Sequence, residues 1–154
     1  MMSPAERIAV VGMGNLLMSD DGVGVHVVHK LRKKCLEGVE LIDAGTAVIH
    51  TADCLREVDR IVVVDALKAG HPPGTVYRMS GNEVLENDYS LSVHSLGLKT
   101  ALMFLGSEDT PADWTLVGVE PETLERGMRL SDAVQEAVPA AMRAVENLIE
   151  EWRI

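Results

Sequence analysis

The sequence predicts an α/β fold: a three-layer sandwich whose mostly parallel, twisted sheet of about five strands carries helices on both faces. Three observations point there. Short apolar runs at 8–12, 39–43 and 60–65 alternate with stretches whose apolar residues recur at helical spacing. Each run ends in glycine or a carboxylate, and the first is continuously apolar up to its glycine, as a strand buried on both faces is. The 154 residues, 47% apolar and 25% charged, suffice for one domain over 1–154 with a substantial core.

Residues 8–12 (Ile-Ala-Val-Val-Gly) form the first strand. A turn-rich loop over 13–22 leads into Val23, Val27, Val28 and Leu31, spaced as one face of a helix. Residues 39–43 are the second strand, 44–46 a turn, and 48–58 a helix with Cys54 and Leu55 on its apolar side. Four β-branched residues in a row make 60–65 the central strand. The rhythm then breaks: 68–74, with His71-Pro72-Pro73-Gly74, is loop, and 75–79 is a strand expected antiparallel at an edge. Residues 80–93 are polar and weakly patterned, ahead of a helix over 96–105 closed by Gly106. Residues 114–120 make the last strand. A long helix starts near Ser131, a residue suited to cap it. Val134, Val138, Ala141, Val145, Leu148 and Ile149 share its apolar face, and Pro139 within it predicts a kink.

Composition excludes several classes. Fourteen basic against 24 acidic residues give a net charge of −10, which repels nucleic acid and anionic lipid, so neither is an expected partner. No apolar stretch approaches the ~20 residues of a membrane span, and the first residues lack an export signal. A cytoplasmic location is the expectation. Cys35 and Cys54 lack CxxC spacing and read as core packing. No long amphipathic surplus suggests self-association, so a monomer is expected.

Gly12-Met13-Gly14 after the first strand invites a dinucleotide reading, but the third glycine of that fingerprint is replaced by Leu17. Asp20 and Asp21 at the start of the first helix would repel phosphate. Their plain reading is that one caps the helix. Asp43 and Asp65 each follow an apolar strand, so in a parallel sheet both emerge at the rim that carries the Asp20-Asp21 loop. Taken singly, strand-end aspartates usually cap turns. Together they would raise one another's pKa unless a proton or a metal neutralised them. His94 can reach the same rim, and an Asp/Asp/His set suits a borderline divalent ion. Asp43-Ala44-Gly45-Thr46 lacks the second copy that a pepsin-like site requires, and HExxH, GxSxG and P-loop motifs are absent from the sequence. Met13 and Met18 read as gap-fillers, and His71 as an exposed loop residue.

In order along the chain stand Gly12-Met13-Gly14-Asn15-Leu16-Leu17-Met18-Ser19-Asp20-Asp21-Gly22, Asp43-Ala44-Gly45-Thr46, Val64-Asp65-Ala66, Ser92-Val93-His94-Ser95-Leu96-Gly97 and Val117-Gly118-Val119-Glu120-Pro121-Glu122. This series resembles the hydrogenase maturation endopeptidases that process the large subunit of nickel-iron hydrogenases. The resemblance implies an aspartic-type endopeptidase that removes a C-terminal extension from the precursor after nickel insertion. It places the metal-binding and catalytic positions on Asp21, Asp65 and His94, and substrate binding on Asp43, Gly45 and Thr46. The nickel would be carried by the substrate, and another divalent cation could occupy the site in vitro. Some members carry Glu at the position of Asp21, which makes Asp20 a possible alternative ligand. Whether the ion polarises the scissile carbonyl or activates water, or whether Asp43 or Asp65 is the general base, stays open at this point. The alternative reading is a non-catalytic nickel chaperone or hydrogenase-binding module.

Overall fold

A computed structural model describes residues 5–86, 90–91 and 113–154. The chain runs β1 (Ile8–Met13), a 3-10 turn (Ser19–Gly22), α1 (Val23–Arg32), β2 (Val39–Gly45), α2 (Val48–Cys54), β3 (Arg60–Lys68), β4 (Val76–Ser80), α3 (Gly81–Glu86), β5 (Ser90–Leu91), β6 (Asp113–Val119) and α4 (Asp132–Trp152).

Strand order in the sheet is β2-β1-β3-β6-β4, with β5 paired antiparallel to the end of β3. The first four are parallel, and β4 lies antiparallel to β6 at an edge, as the break in the βα rhythm predicted. β3 lies in the middle, flanked by β1 and β6. Its β-branched run is buried on both faces, which is why it reads as a continuous apolar string rather than an alternating one.

Alternate residues of the strands feed two separate apolar layers. On one face Val10, Val62, Val64 and Val117 pack under α1 (Val23, Val27, Leu31) and α4 (Val134, Val138, Ala141, Val145). On the other, Ala9, Val11, Ile61, Val63 and Leu116 pack with Leu55, Val58 and Val84. Each Val or Leu so buried stabilises the fold by about 1.5–3 kcal/mol. The apolar faces expected for α1 and α4 are the buried ones.

Several local expectations are corrected. α2 ends at Cys54, which is exposed, and Leu55 in the turn behind it fills the core instead. Cys35 is also exposed, just past α1 with φ +51°. Neither cysteine packs in the core. Met13 is fully buried, as a gap-filler should be, and His71 is exposed. A helical turn, α3, forms within the weakly patterned stretch after β4. α4 is one continuous helix with Pro139 inside it, on its exposed side, so the proline does not end the helix. Ser131 caps it, its hydroxyl accepting from Val134 N at 3.4 Å. The helix expected over 96–105 lies outside the described residues. Among the described residues no helix is long and apolar enough to cross a membrane.

Candidate functional site

The loop leaving β1 wraps around Asp21. Gly14 adopts φ +126°, and a Cβ there would stand 1.8 Å from the Asp21 carbonyl oxygen, so only glycine fits. Asn15 N–H then donates to Asp21 Oδ2 at 2.8 Å, and Asn15 Oδ1 accepts from Leu17 N at 2.9 Å. Met18 N–H donates to the Asn15 carbonyl and Asp21 N–H to the Met18 carbonyl, at 3.1 and 3.2 Å. Asp21 is nearly buried, and its second carboxylate oxygen has no hydrogen-bond partner among the described residues. That oxygen can serve a cation or a proton.

Two glycines press this loop onto the sheet. A Cβ on Gly24 would lie 2.0 Å from the Val64 carbonyl oxygen, and one on Gly12 would lie 2.4 Å from the Gly24 carbonyl oxygen. The first turn of α1 therefore sits directly on the backbone of β3, one residue before Asp65, and the 3-10 turn packs on β3 as well. Asp65 is fully buried, opposite Gly118 in register, and its Oδ1 accepts from Ala66 N at 2.8 Å. Asp21 and Asp65 thus reach the same carboxyl end of the sheet, where parallel α/β folds bind ligands.

Asp43 parts from them. It stands opposite Gly12 in register, but strand alternation turns it to the face of α1, where His29 Nε2 donates to its Oδ2 at 2.7 Å. Asp65, sharing the side of Val63 and Leu67, faces the other layer. The expected convergence of three acidic strand ends is therefore corrected: the sheet separates Asp43 from Asp65. Gly45, with φ +49°, accepts from Gly14 N at 2.9 Å, so the turn holding Gly45 and Thr46 is tied to the Asp21 loop through the backbone.

Asp20 has a different task from its neighbour. Fully buried, its carboxylate accepts from Glu122 N (2.9 Å), Thr123 N (3.1 Å), Ser131 N (2.8 Å) and Ser131 Oγ (2.8 Å). With both oxygens taken by these donors, it is not placed to serve as an alternative metal ligand. Neither aspartate caps α1: the cap position is Gly22, with no side-chain cap.

A fourth buried carboxylate, Glu120, follows β6 and stands in the last sequence motif without a role drawn from it. Its Oε1 accepts from Ala69 N, His71 N and Tyr77 Oη at 2.9, 3.1 and 2.7 Å, tying down the connection from β3 to β4. Burial alone would raise its pKa. The Tyr77 hydroxyl and the backbone N–H groups outweigh that and hold it below the usual 4.5. Tyr77 is pushed up to about 12, by burial first and by Glu120 second. The signal that singled out Asp43 and Asp65, an acid directly after an apolar strand, also marks Glu120.

His94 lies outside the described residues. Among the described residues no three His, Cys, Asp or Glu side chains are grouped to hold a metal.

A mostly parallel α/β sheet with buried carboxylates at its carboxyl rim places the candidate site where proteins of this fold class bind ligands. The particular family follows from likeness to known proteins: residues 25–148 match the hydrogenase maturation protease family, HycI, and the chain belongs to it. The "Hydrogenase 2 maturation protease" of Escherichia coli is 33% identical over 94% of this chain and 92% of its own length. A "Hydrogenase expression/formation protein HupD" of Rhizobium leguminosarum is 32% identical over 98% of this chain and 78% of its own. Among solved structures, the hydrogenase maturating endopeptidase HybD of E. coli superposes with a TM-score of 0.85, at 32% identity over 94% of this chain and 93% of that one. The maturation protease HybD of Thermococcus kodakarensis gives 0.80, at 30% identity over 92% and 98%.

Proposed function

We propose that this protein is the endopeptidase that removes the C-terminal extension of a nickel-loaded hydrogenase large-subunit precursor, with the substrate's own nickel as the recognition element. Family membership supports the peptidase class. The observation that supports this reading is that Asp21 and Asp65 lie toward the same carboxyl end of the sheet: Asp21 is held by Asn15 N with one oxygen uncommitted, on a turn packed against the strand that buries Asp65. In this reading Asp21, Asp65 and His94 add hard and borderline donors to an ion that the precursor's thiolates already hold. A precursor without nickel lacks that anchor and escapes cutting. Asp43, Gly45 and Thr46 form the neighbouring turn that receives the substrate chain. The hydrolytic water is activated at this rim, either by a carboxylate acting as base or by the substrate's ion as Lewis acid. The peptidase would act in the cytoplasm, as a monomer.

The test is to incubate the purified protein with nickel-loaded and nickel-free precursor and follow the mass of the large subunit. The expected result is a discrete mass loss with loaded precursor alone. Equal cutting of both would remove nickel recognition, and binding without mass loss would establish the non-catalytic chaperone or binding module instead.

A further inference from the structure

Two adjacent, chemically identical residues have opposite environments. Asp21 offers an oxygen at the rim, while Asp20 turns inward into donors from a segment a hundred residues away in sequence. We infer that Asp20 is a positioning residue for the peptidase reaction: it fixes Asp21 by bolting the loop after β1 to the segment that joins β6 to α4. The inference rests on the reading of Asp21 as a site residue.

The bolt has two parts. Backbone bonds zip the two segments together: Ser19 N to Gly127 O (2.8 Å), Gly127 N to Leu17 O (2.9 Å) and Asp20 N to Thr123 O (3.2 Å). Ser19 Oγ adds a bond to Glu125 O at 2.7 Å. The Asp20 carboxylate supplies the rest, taking three backbone N–H groups and the Ser131 hydroxyl at full burial. Charge-assisted bonds of this kind are about twice as strong as neutral ones. They are needed because Ser19 is held at φ +52°, a left-handed conformation that a serine adopts only when its surroundings enforce it. Relaxation of Ser19 would swing the 3-10 turn, and Asp21 with it, away from Asn15 N. Ser131 also caps α4, so the same hydroxyl ties the loop to the helix that covers one face of the sheet.

An asparagine at position 20 keeps the shape but loses the charge and presents an NH2 to backbone donors. In Asp20→Asn, kcat for precursor cleavage is expected to fall about 10- to 100-fold, the scale of a misplacement near 1 Å, with KM nearly unchanged. The amide of Asn15 is expected to lose about 10-fold or more of its hydrogen-exchange protection while Val10 and Val62 in the core keep theirs. Wild-type kcat and Asn15 protection in the folded variant would overturn the inference. So would a uniform loss of protection across Asn15, Val10 and Val62, which would mark Asp20 as a stability element only. If Asp20→Asn does not fold, Ser131→Ala and Ser131→Thr decide: kcat and Asn15 protection should drop with alanine and return with threonine, and no change with alanine overturns the bolt. If the wild-type protein cleaves no precursor, the proposed function fails, and Asn15 exchange still reads out the positioning.

Discussion

His29 on α1 bonds Asp43 at the end of β2, Nε2 to Oδ2 at 2.7 Å, on the face of the sheet turned away from Asp65. The two side chains are 45% and 31% exposed, so solvent screens the pair and its worth is small. His29→Ala is expected to lower stability by less than about 1 kcal/mol in urea unfolding. Asp43→Asn, one hydrogen bond poorer toward the substrate, should raise the KM for precursor about 5-fold with kcat retained. A collapse of kcat would place Asp43 in the chemistry.

Asp21→Asn, Asp65→Asn and His94→Ala should each cut processing by at least about 100-fold, the scale on which loss of a group acting at a reacting centre is felt. For the two asparagine variants the melting temperature should move by only a few degrees, since asparagine can still accept from Asn15 N and from Ala66 N. Mass analysis of the large subunit beside thermal melts checks both. Full processing by any of the three would strike that residue from the site.

Gly24→Ala puts a methyl 2.0 Å from the Val64 carbonyl oxygen and 2.6 Å from that of Met13, two backbone atoms with nowhere to retreat. A loss of about 3 kcal/mol or more is expected. Gly70, with φ +86° and nothing within 4 Å of a built Cβ, should lose only the left-handed strain, about 1–2 kcal/mol. Chemical denaturation of the two variants side by side distinguishes crowding from backbone conformation.

Glu120 titrates below 4.5 in the folded protein. Its contribution is complete above 4.5 and disappears as pH falls through the lower folded value. Glu120→Gln should flatten that acid limb of the stability profile. Tyr77, held to about 12, acts at the other end. The unfolded chain loses that proton from about pH 10, so stability should decline between pH 10 and 12, and Tyr77→Phe should remove the decline. Unchanged profiles in both variants would contradict the bonded pair.

Burial, with His29 and Lys30 close by, lowers the pKa of His26 from 6.5, and its Nε2 is buried without a partner among the described residues. The unfolded state then binds the extra proton first. Stability should fall as pH drops from 6.5 toward the folded value, and His26→Leu should abolish that slope in thermal melts recorded across the window. A slope that survives the substitution would trace to another group.

Much of the architecture was legible because burial leaves a period in the sequence. The runs at 8–12 and 61–64 are continuously apolar because both faces of β1 and β3 are covered, and the stripe from Val134 to Ile149 is the buried face of α4. Cys54 misled because its apolar character suited a longer helix, whereas the chain turns after it and buries Leu55. α3 left little trace, being one short helical segment in a polar stretch.

The sequence by itself determined the α/β class, the end of the sheet at which the strand-end aspartates fall and the series of motifs that marks the family, since these depend on local periodicity and on strand ends. Tertiary structure alone decided which partners each aspartate meets. The donors that draw Asp20 inward lie 102 to 111 residues away, and the pleat turns Asp43 and Asp65 to opposite faces, so identical side chains acquired different surroundings from partners distant in the sequence.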